Sequence, residues 1–281
     1  MALRIAVIGA AGKMGTRLMN NLVKEDYDLI AAESGEVGIA RLQERGLTPT
    51  PPAEAVANGD LIVFAVPDAR MGAVTAELIP HVRSGATVIM LDPAAAMGNE
   101  VTLREDLHYV VCHPCHPPLF GEQASDEARK DFFGGIIATQ DIVIALMQGS
   151  EEAFQQAHEL CIKMFAPVVK AHRITVEQMA ILEPAMAEVV AATAASLMKD
   201  ALEEAVKAGV PREAATSFML GHAQIPLAIV FGAIPSPFSD AAKIAIRWGY
   251  ENVVQPDWRK VFERENLKAV IHEMLHPEEQ R

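Results

Sequence analysis

The sequence predicts an α/β fold in the first part of the chain and an all-helical second part. Two observations predict this. Between residues 4 and 171, short apolar runs with the length of buried strands, one of them at 135–139, alternate with segments of helical pattern. From Thr175 to Ala208, one long apolar stretch rich in alanine and methionine has the pattern of a helix. We therefore predict two domains, over residues 1–172 and 173–281.

Composition limits the kinds of partner that this chain can have. Its 281 residues are enough for two domains, and 51% hydrophobic with 22% charged residues is typical of a soluble globular protein. A net charge of −13 argues against nucleic acid and against an anionic membrane as partners. We find no N-terminal signal and no uninterrupted run of 18 apolar residues, and the three cysteines are an odd number. These observations predict a cytoplasmic protein that does not span a membrane.

A glycine-rich turn follows the first predicted strand. Residues 4–8 are a buried-strand run, and residues 9–15, GAAGKMG, precede an amphipathic helix near residues 12–24. Glycines in such a turn let the backbone approach a pyrophosphate, and the helix N-terminus offers N–H groups and a positive dipole end to the phosphates. The order predicts a Rossmann-type dinucleotide-binding domain, with a turn that binds no nucleotide as the alternative. The predicted cofactor-binding residues of the turn are Gly9, Ala11, Gly12, Lys13, Met14 and Gly15.

Acidic residues follow two further predicted strands. Glu33 comes after the strand at 28–32, where a carboxylate would accept the ribose hydroxyls and repel a 2′-phosphate, so NAD is favoured over NADP. Asp68 comes after the strand at 61–66, at the edge where open α/β sheets bind ligands, and is a further candidate for cofactor binding. A solvated strand end is the alternative for Glu33, and a helix cap is the alternative for Asp68.

Two cysteines and two histidines follow the predicted strand at 108–111, in the run Cys112-His113-Pro114-Cys115-His116. The spacing CxxCH also occurs at haem attachment sites, but these belong to exported proteins. A structural zinc would need a second pair of ligands, and only Cys161 remains elsewhere. A catalytic divalent metal needs fewer protein ligands, because substrate and water fill its open positions. We therefore predict a divalent metal, either Zn²⁺, Mg²⁺ or Mn²⁺, with a rigid metal-free loop as the alternative.

The long helix of the second part contains a proline and is apolar on several faces. Such a helix needs cover from more than one side, so we predict a homodimer in which the helices interlock. Pro184 removes a helical hydrogen bond and would bend the helix near Glu183. We predict His113 and Glu183 as the metal ligands, facing each other across the cleft between the two domains.

The chain resembles proteins with a phosphogluconate-dehydrogenase-like C-terminal domain, and among them the NAD-dependent D-apionate oxidoisomerases. The resemblance covers essentially the whole chain. It implies a Rossmann domain followed by an all-helical dimerisation domain. The lysine motif GxGxxxNxxK of the related β-hydroxyacid dehydrogenases is absent from the long helix. The motifs that carry the resemblance are GAAGKMG (9–15), FAVPD (64–68), CHPCHPPLFG (112–121), ATQDIVIALMQG (138–149) and ILEPAMAE (181–188).

The resemblance also implies a reaction. Oxidation of the C2 hydroxyl of D-apionate, a branched sugar acid, leaves a 2-oxo acid beside a tertiary alcohol, and an α-ketol rearrangement then gives 3-oxo-isoapionate. A divalent cation would chelate the two adjacent oxygens, and a base must take the alcohol proton. We predict His116 as this base, with Asp92 and His222 as alternatives. A plain NAD(P)-dependent hydroxyacid dehydrogenase acting on prephenate- or phosphogluconate-like substrates, and a non-enzymatic dinucleotide sensor, are the competing functions.

Overall fold

A computed structural model describes residues 2–280 and has two compact units. The first unit runs up to Ala180 and also includes the chain from Lys268 onward, and the second is Ile181–Leu267. The predicted fold class is confirmed, since a strand-and-helix part is followed by a helical part. The first unit extends beyond residue 172 because the next helix packs on the sheet. The predicted domain limits, 1–172 and 173–281, stay a prediction.

The first unit is built on a seven-stranded sheet with the order β2-β1-β3-β4-β5-β6-β7. The strands β1 to β5 are parallel, whereas β6 runs antiparallel to β5 and parallel to β7. The chain leaves β1 toward β2 on one side and later returns to β3 on the other, so the strand order reverses between β1 and β3. Ligands of open α/β sheets bind at such a reversal, beyond the carboxyl ends of the strands. The strands are β1 Arg4–Ile8, β2 Asp28–Ala32, β3 Leu61–Phe64, β4 Thr87–Met90, β5 His108–His116, β6 Gln140–Gln148 and β7 Val168–Arg173.

Helices connect the strands, and two interior strands of the sheet are buried throughout. All four residues of β3 and of β4 are buried, as expected for parallel strands with helices on both faces. Helix α1 packs on α7 beside this sheet. The helices of this unit are α1 Lys13–Leu22, α2 Glu36–Glu44, α3 Pro52–Asn58, α4 Asp68–Leu78, α5 Ala94–Met97, α6 Asp126–Lys130, α7 Glu151–Met164 and α8 Val176–Ala180, with 3₁₀ turns at Ile79–His81 and Pro277–Gln280.

The apolar segment 135–139, predicted as a strand, is an irregular loop, so that prediction was wrong. The Asp131 carboxylate accepts hydrogen bonds from the N–H groups of Ile136, Ile137 and Ala138, at 3.1, 3.0 and 3.1 Å. Because these donors converge on one carboxylate, they cannot form a ladder with a neighbouring strand.

The Cys/His run also differs from the expectation that it follows a strand, because β5 continues through it to His116. The antiparallel partner β6 pairs with β5 along this extension, with Cys112 opposite Ile144 and His113 opposite Val143. The pairing keeps the run extended, so it is part of the sheet rather than a free loop.

The second unit is helical. The helix predicted over 175–208 is divided, since α8 is followed by a π-helix that contains Pro184. A π-helical stretch accommodates a residue that cannot donate the regular helical hydrogen bond. The elements of this unit are the π-helix Ile181–Ala192, α9 Thr193–Lys207, α10 Arg212–Val230, α11 Asp240–Asn252, the 3₁₀ turn Trp258–Phe262 and the start of α12 Arg264–Leu275.

The second unit has much exposed apolar surface. Within the part of the chain that the structure describes, α9 and α11 contain no buried residue. Phe218, Leu220, Phe231 and Trp248 are each more than 60% exposed. The helical run Val176–Lys207 is long and apolar enough to cross a membrane. An 18-residue stretch of it has a mean hydropathy of 1.4, and 11% of that stretch is buried. A single helix of this kind is weak support for a membrane span, because apolar helices that pack on other protein pass the same test.

Candidate active site

The glycine turn between β1 and α1 is packed too closely for side chains at two positions. Gly9 has a φ of +81°, and a Cβ there would lie 2.5 Å from the carbonyl oxygen of Ala65. A Cβ on Gly15 would lie 2.8 Å from Cα of Ala10 and closer still to the Gly9 carbonyl oxygen. The N–H groups of Gly9 and Ala10 both donate to the Ala32 carbonyl, at 3.0 and 3.1 Å. The turn is thus tied to the carboxyl end of β2 and closes tightly onto α1.

The N-terminus of α1 lies at the end of this turn. Gly12 is the cap residue and has no side chain that could occupy the space in front of the helix. The N–H groups of the first helical turn, beginning with Lys13 and Met14, have no partners within the helix. They and the helix dipole make this end a site for an anion such as a pyrophosphate. Glu33 lies beside the turn, where its Oε2 accepts the Ala11 N–H at 3.3 Å.

A cleft of about 420 Å³ extends from the glycine turn to the Cys/His strand within the first unit. It brings three of the predicted cofactor-binding residues of the turn together with Asp68 and the predicted metal ligand His113. Asp68 is the first residue of α4. The cleft is lined by Gly12, Lys13, Met14, Phe64, Ala65, Val66, Pro67, Asp68, Met71, Leu91, Asp92 and His113.

Asp92 and His113 lie together in this cleft because β4 and β5 are parallel neighbours. The Asp92 Oδ2 lies 3.7 Å from Nδ1 of His113, and its Oδ1 accepts the Ala94 N–H at 2.8 Å. Burial raises the pKa of Asp92 above its ordinary value, and the attraction of His113 and the hydrogen bond from Ala94 partly offset this rise. The sequence suggests Asp92 only as an alternative base. Its place directly after a predicted strand was the sequence signal that could have found it.

The ring orientation of His113 is set by the main chain. Its Nδ1 donates a hydrogen bond to the Leu91 carbonyl at 2.8 Å, which puts the imidazole lone pair on Nε2. In this tautomer Nε2 can bind a metal, and a main-chain carbonyl is a common partner for the opposite nitrogen. Asp92 and His113 each offer a ligand atom, and these two atoms lie within 4.8 Å of each other. The pair is therefore suited to hold one divalent cation.

His116 lies beside His113 on the same strand. Its ring centre is 6.1 Å from that of His113, and its Nδ1 donates to the Phe133 carbonyl at 2.9 Å. Its φ of +61° is unusual for a residue with a Cβ, and such backbone conformations are common at functional sites. Its role as a base stays a prediction.

Two other predicted residues belong to the second unit. Glu183 is the third residue of the π-helix and is partly buried, next to the buried Pro184. His222 lies on α10, stacks on Phe218 with ring centres 3.8 Å apart and is exposed. The roles considered for Glu183 and His222 stay predictions.

The cysteines do not surround one ion with the histidines. Cys112 is fully buried next to the buried Cys161 of α7, whereas Cys115 is exposed. Burial raises the pKa of the Cys112 thiol well above its ordinary value. Since successive residues of a strand point to opposite faces, Cys112 and His113 lie on different sides of the sheet. This arrangement disagrees with both the haem and the structural-zinc alternatives.

Comparisons with known proteins cover nearly the whole chain. A family model described as "Phosphogluconate dehydrogenase (decarboxylating) C-term" matches residues 121–275, and one described as "NADP oxidoreductase coenzyme F420-dependent" matches residues 4–95. The chain is 46% identical to the D-apionate oxidoisomerase of Blautia hydrogenotrophica, over 98% of this chain and 97% of that protein. It is 44% identical to the D-apionate oxidoisomerase of Cupriavidus necator, over 95% of this chain and 98% of that protein.

A solved structure agrees with these matches. The crystal structure of a semialdehyde dehydrogenase NAD-binding protein from Cupriavidus necator, in complex with calcium and NAD, has a TM-score of 0.93 to this chain at 44% identity. The match covers 98% of this chain and all of that one. With this similarity over nearly its full length, the chain belongs to the family of the D-apionate oxidoisomerases.

Proposed function

We propose that this chain is an NAD-dependent oxidoisomerase of branched sugar acids, with D-apionate as its substrate. One observation carries the proposal: the cleft that begins at the glycine turn ends at the Asp92–His113 pair. A dinucleotide bound by the turn would thus have its reactive end close to two side chains that can bind oxygen-rich substrates. The relatives named D-apionate oxidoisomerase support this substrate over those of a plain hydroxyacid dehydrogenase.

The residues of the turn fit a dinucleotide. Gly9 and Gly15 let the turn close tightly, since a Cβ at either position would collide with main-chain atoms, and the N-terminus of α1 offers N–H groups to a pyrophosphate. Glu33 would accept the ribose hydroxyls. When bound, NAD supplies the acceptor for the hydride that leaves the substrate carbon. The Cupriavidus necator structure with NAD bound supports NAD as the coenzyme.

Asp92 and His113 fit a divalent cation, and we propose Glu183 as a third ligand. Two carboxylates and one imidazole are a common ligand set for Zn²⁺ and Mn²⁺, while Mg²⁺ is a further candidate. Glu183 follows the fully buried Met179 and Ala180 after one helical turn, and π-helical stretches often occur at functional sites. When bound, the cation supplies Lewis acidity to two adjacent substrate oxygens. The calcium in the Cupriavidus necator structure supports a cation in this family.

His116 is the proposed base. The hydrogen bond from its Nδ1 to the Phe133 carbonyl leaves the lone pair on Nε2, which is the atom that would take the proton of the tertiary alcohol. The same bond holds the imidazole near His113, and thus near the proposed position of the substrate. Asp92 is less suited to this task, since we propose it as a ligand, and the other alternative, His222, is exposed and stacks on Phe218.

Turnover and product structure together test the reaction. The wild-type enzyme with D-apionate and NAD should form NADH, and ¹³C NMR should detect a product with a rearranged carbon skeleton. An unrearranged 2-oxo acid would instead establish the plain dehydrogenase. Tight NAD binding without turnover of any acid would favour the sensor.

Metal analysis and three substitutions test the side chains. His113→Ala and Asp92→Asn should lose the bound metal and at least about 100-fold in kcat/KM. His81→Ala, at an exposed histidine on the 3₁₀ turn, is the matched control and should retain both. His116→Asn should retain the metal and the fold, since asparagine tolerates a positive φ, but lose turnover. Full activity of the metal-free enzyme would refute the proposed role of the metal.

We also propose that the active form is a homodimer whose partner covers the second unit. The exposed aromatic and aliphatic side chains of α10 and α11 form the kind of surface that a second copy buries. Light scattering after gel filtration should give twice the chain mass. Leu220→Asp should lower that mass, while Glu213→Asp on the same helix should not change it. A monomeric wild-type protein would refute the proposed dimer. Recovery of the protein in the membrane fraction would refute the predicted cytoplasmic location.

A further inference from the structure

The helix that follows Glu33 has a glycine where a side chain would collide with that residue. Gly38 lies in the first turn of α2. A Cβ built on Gly38 would lie 2.6 Å from Cδ of Glu33, 3.0 Å from its Oε2, and closer still to its Cγ. All three atoms belong to a flexible side chain. A methyl group at position 38 would therefore move the carboxylate at little cost to the backbone.

Two main-chain N–H groups hold the same carboxylate. Ala11 donates to Oε2 at 3.3 Å, and Ser34 donates to Oε1 at 3.2 Å. The carboxylate of Glu33 is thus positioned by these two donors and by the space that Gly38 leaves open. Since Ala11 belongs to the glycine turn, this position is defined relative to the site of the pyrophosphate.

We propose that Gly38 is a positioning residue that selects the coenzyme through Glu33. The inference rests on the proposed function, in which the turn binds NAD. A carboxylate at the ribose accepts both hydroxyls of NAD and repels the 2′-phosphate of NADP. Hydrogen bonds weaken steeply when distance and angle depart from their optimum, so a displaced carboxylate loses part of both effects. Gly38 therefore favours NAD although it does not itself contact the coenzyme.

Calorimetric titration of the full chain with NAD and with NADP tests this role without any substrate. In Gly38→Ala, the Kd for NAD should rise about tenfold or more, because hydrogen bonds to a charged group are weakened. The Kd for NADP should stay constant or fall. The ratio of the Kd for NADP to the Kd for NAD should therefore decrease at least about tenfold. The matched control is Gly35→Ala, at the cap of the same helix, where a Cβ meets nothing within 4 Å. Its two Kd values should stay within about twofold of wild type.

A double substitution separates positioning from a general loss of structure. In a Glu33→Ala background, Gly38→Ala should have no further effect on either Kd, because no carboxylate remains to be displaced. The role of Gly38 is overturned if Gly38→Ala behaves like Gly35→Ala, or if its effect persists unchanged without Glu33. If the wild-type chain binds NAD, either of these two outcomes leaves the proposed function intact. A wild-type chain that binds no NAD would refute the proposed function itself.

Discussion

Asn21 is a buried polar residue whose replacement should destabilise the first unit by a predictable amount. It lies on α1 and is 5% exposed. Its Nδ2 lies 2.9 Å from the Gly135 carbonyl, 3.2 Å from that of Met164 and 3.1 Å from that of Ala166. Met164 ends α7, where carbonyls have no partner within the helix. One amide therefore joins α1, the end of α7 and the loop before β6.

The expected loss of stability follows from the number of hydrogens on the side-chain amide of Asn21. An NH₂ group has two hydrogens, so the three short distances represent two hydrogen bonds, one of which is shared. Asn21→Leu keeps the volume but removes both donors and leaves buried carbonyls without them. At about 1–2 kcal/mol for each of the two hydrogen bonds, we expect a loss of about 2–4 kcal/mol in the free energy of unfolding. This corresponds to a fall of about 4–8 °C in Tm.

Thermal and urea unfolding, followed by circular dichroism, measure this loss. The matched control is Asn20→Leu, because Asn20 is the preceding residue of α1, is exposed, and accepts a hydrogen bond from Arg45 at the surface. The control should lose less than about 1 kcal/mol. Equal losses in the two variants, or a loss below about 1 kcal/mol in Asn21→Leu, would refute the hydrogen-bond reasoning.

Three further predictions concern the turn, the thiols and the core. Gly15→Ala should weaken NAD binding at least about tenfold, because its Cβ would meet main-chain atoms of the turn. In the control Gly249→Ala on α11, the Cβ meets nothing within 4 Å, so this variant should bind NAD normally. Equal affinities of the two variants for NAD would contradict this prediction. Ellman's reagent should react quickly with Cys115 alone in the native enzyme, and with the two buried cysteines only after unfolding; three equally fast thiols would exclude the observed burial. Tyr109→Phe should lower the free energy of unfolding, measured with urea, by about 1–2 kcal/mol. The reason is that the Tyr109 hydroxyl accepts the Arg104 N–H and donates to the Thr102 carbonyl. An unchanged midpoint of urea unfolding would show that these two bonds contribute nothing to stability.

Much of the fold could be predicted from residue patterns. Short apolar runs identified the parallel strands, because strands covered by helices on both faces are apolar throughout. The glycine turn was recognisable because the close contact of Gly15 with Gly9 and Ala10 joins residues that are near one another in sequence. The segment 135–139 has an apolar pattern too, but three of its N–H groups donate hydrogen bonds to the Asp131 carboxylate. A pattern of hydrophobicity does not reveal hydrogen bonds of this kind.

The candidate site was only partly predictable for a related reason. His113 was selected by its unusual neighbours in the sequence, and its preferred tautomer became evident only with the Leu91 carbonyl in place. The importance of Asp92 depended on the strand order, which sets β4 next to β5. The space left by Gly38 depended on how α2 packs against the end of β2.

Local periodicity and backbone sterics were therefore sufficient for the α/β class, the dinucleotide turn and the helical second part. These features arise among residues close together in the chain, where side-chain spacing and the absence of a Cβ act directly. The Asp92–His113 pair, the antiparallel β6 and the Asn21 hydrogen bonds were decided only by tertiary structure. Each of them joins residues that are distant in sequence, and they meet because burial of apolar faces determines which strands and helices become neighbours.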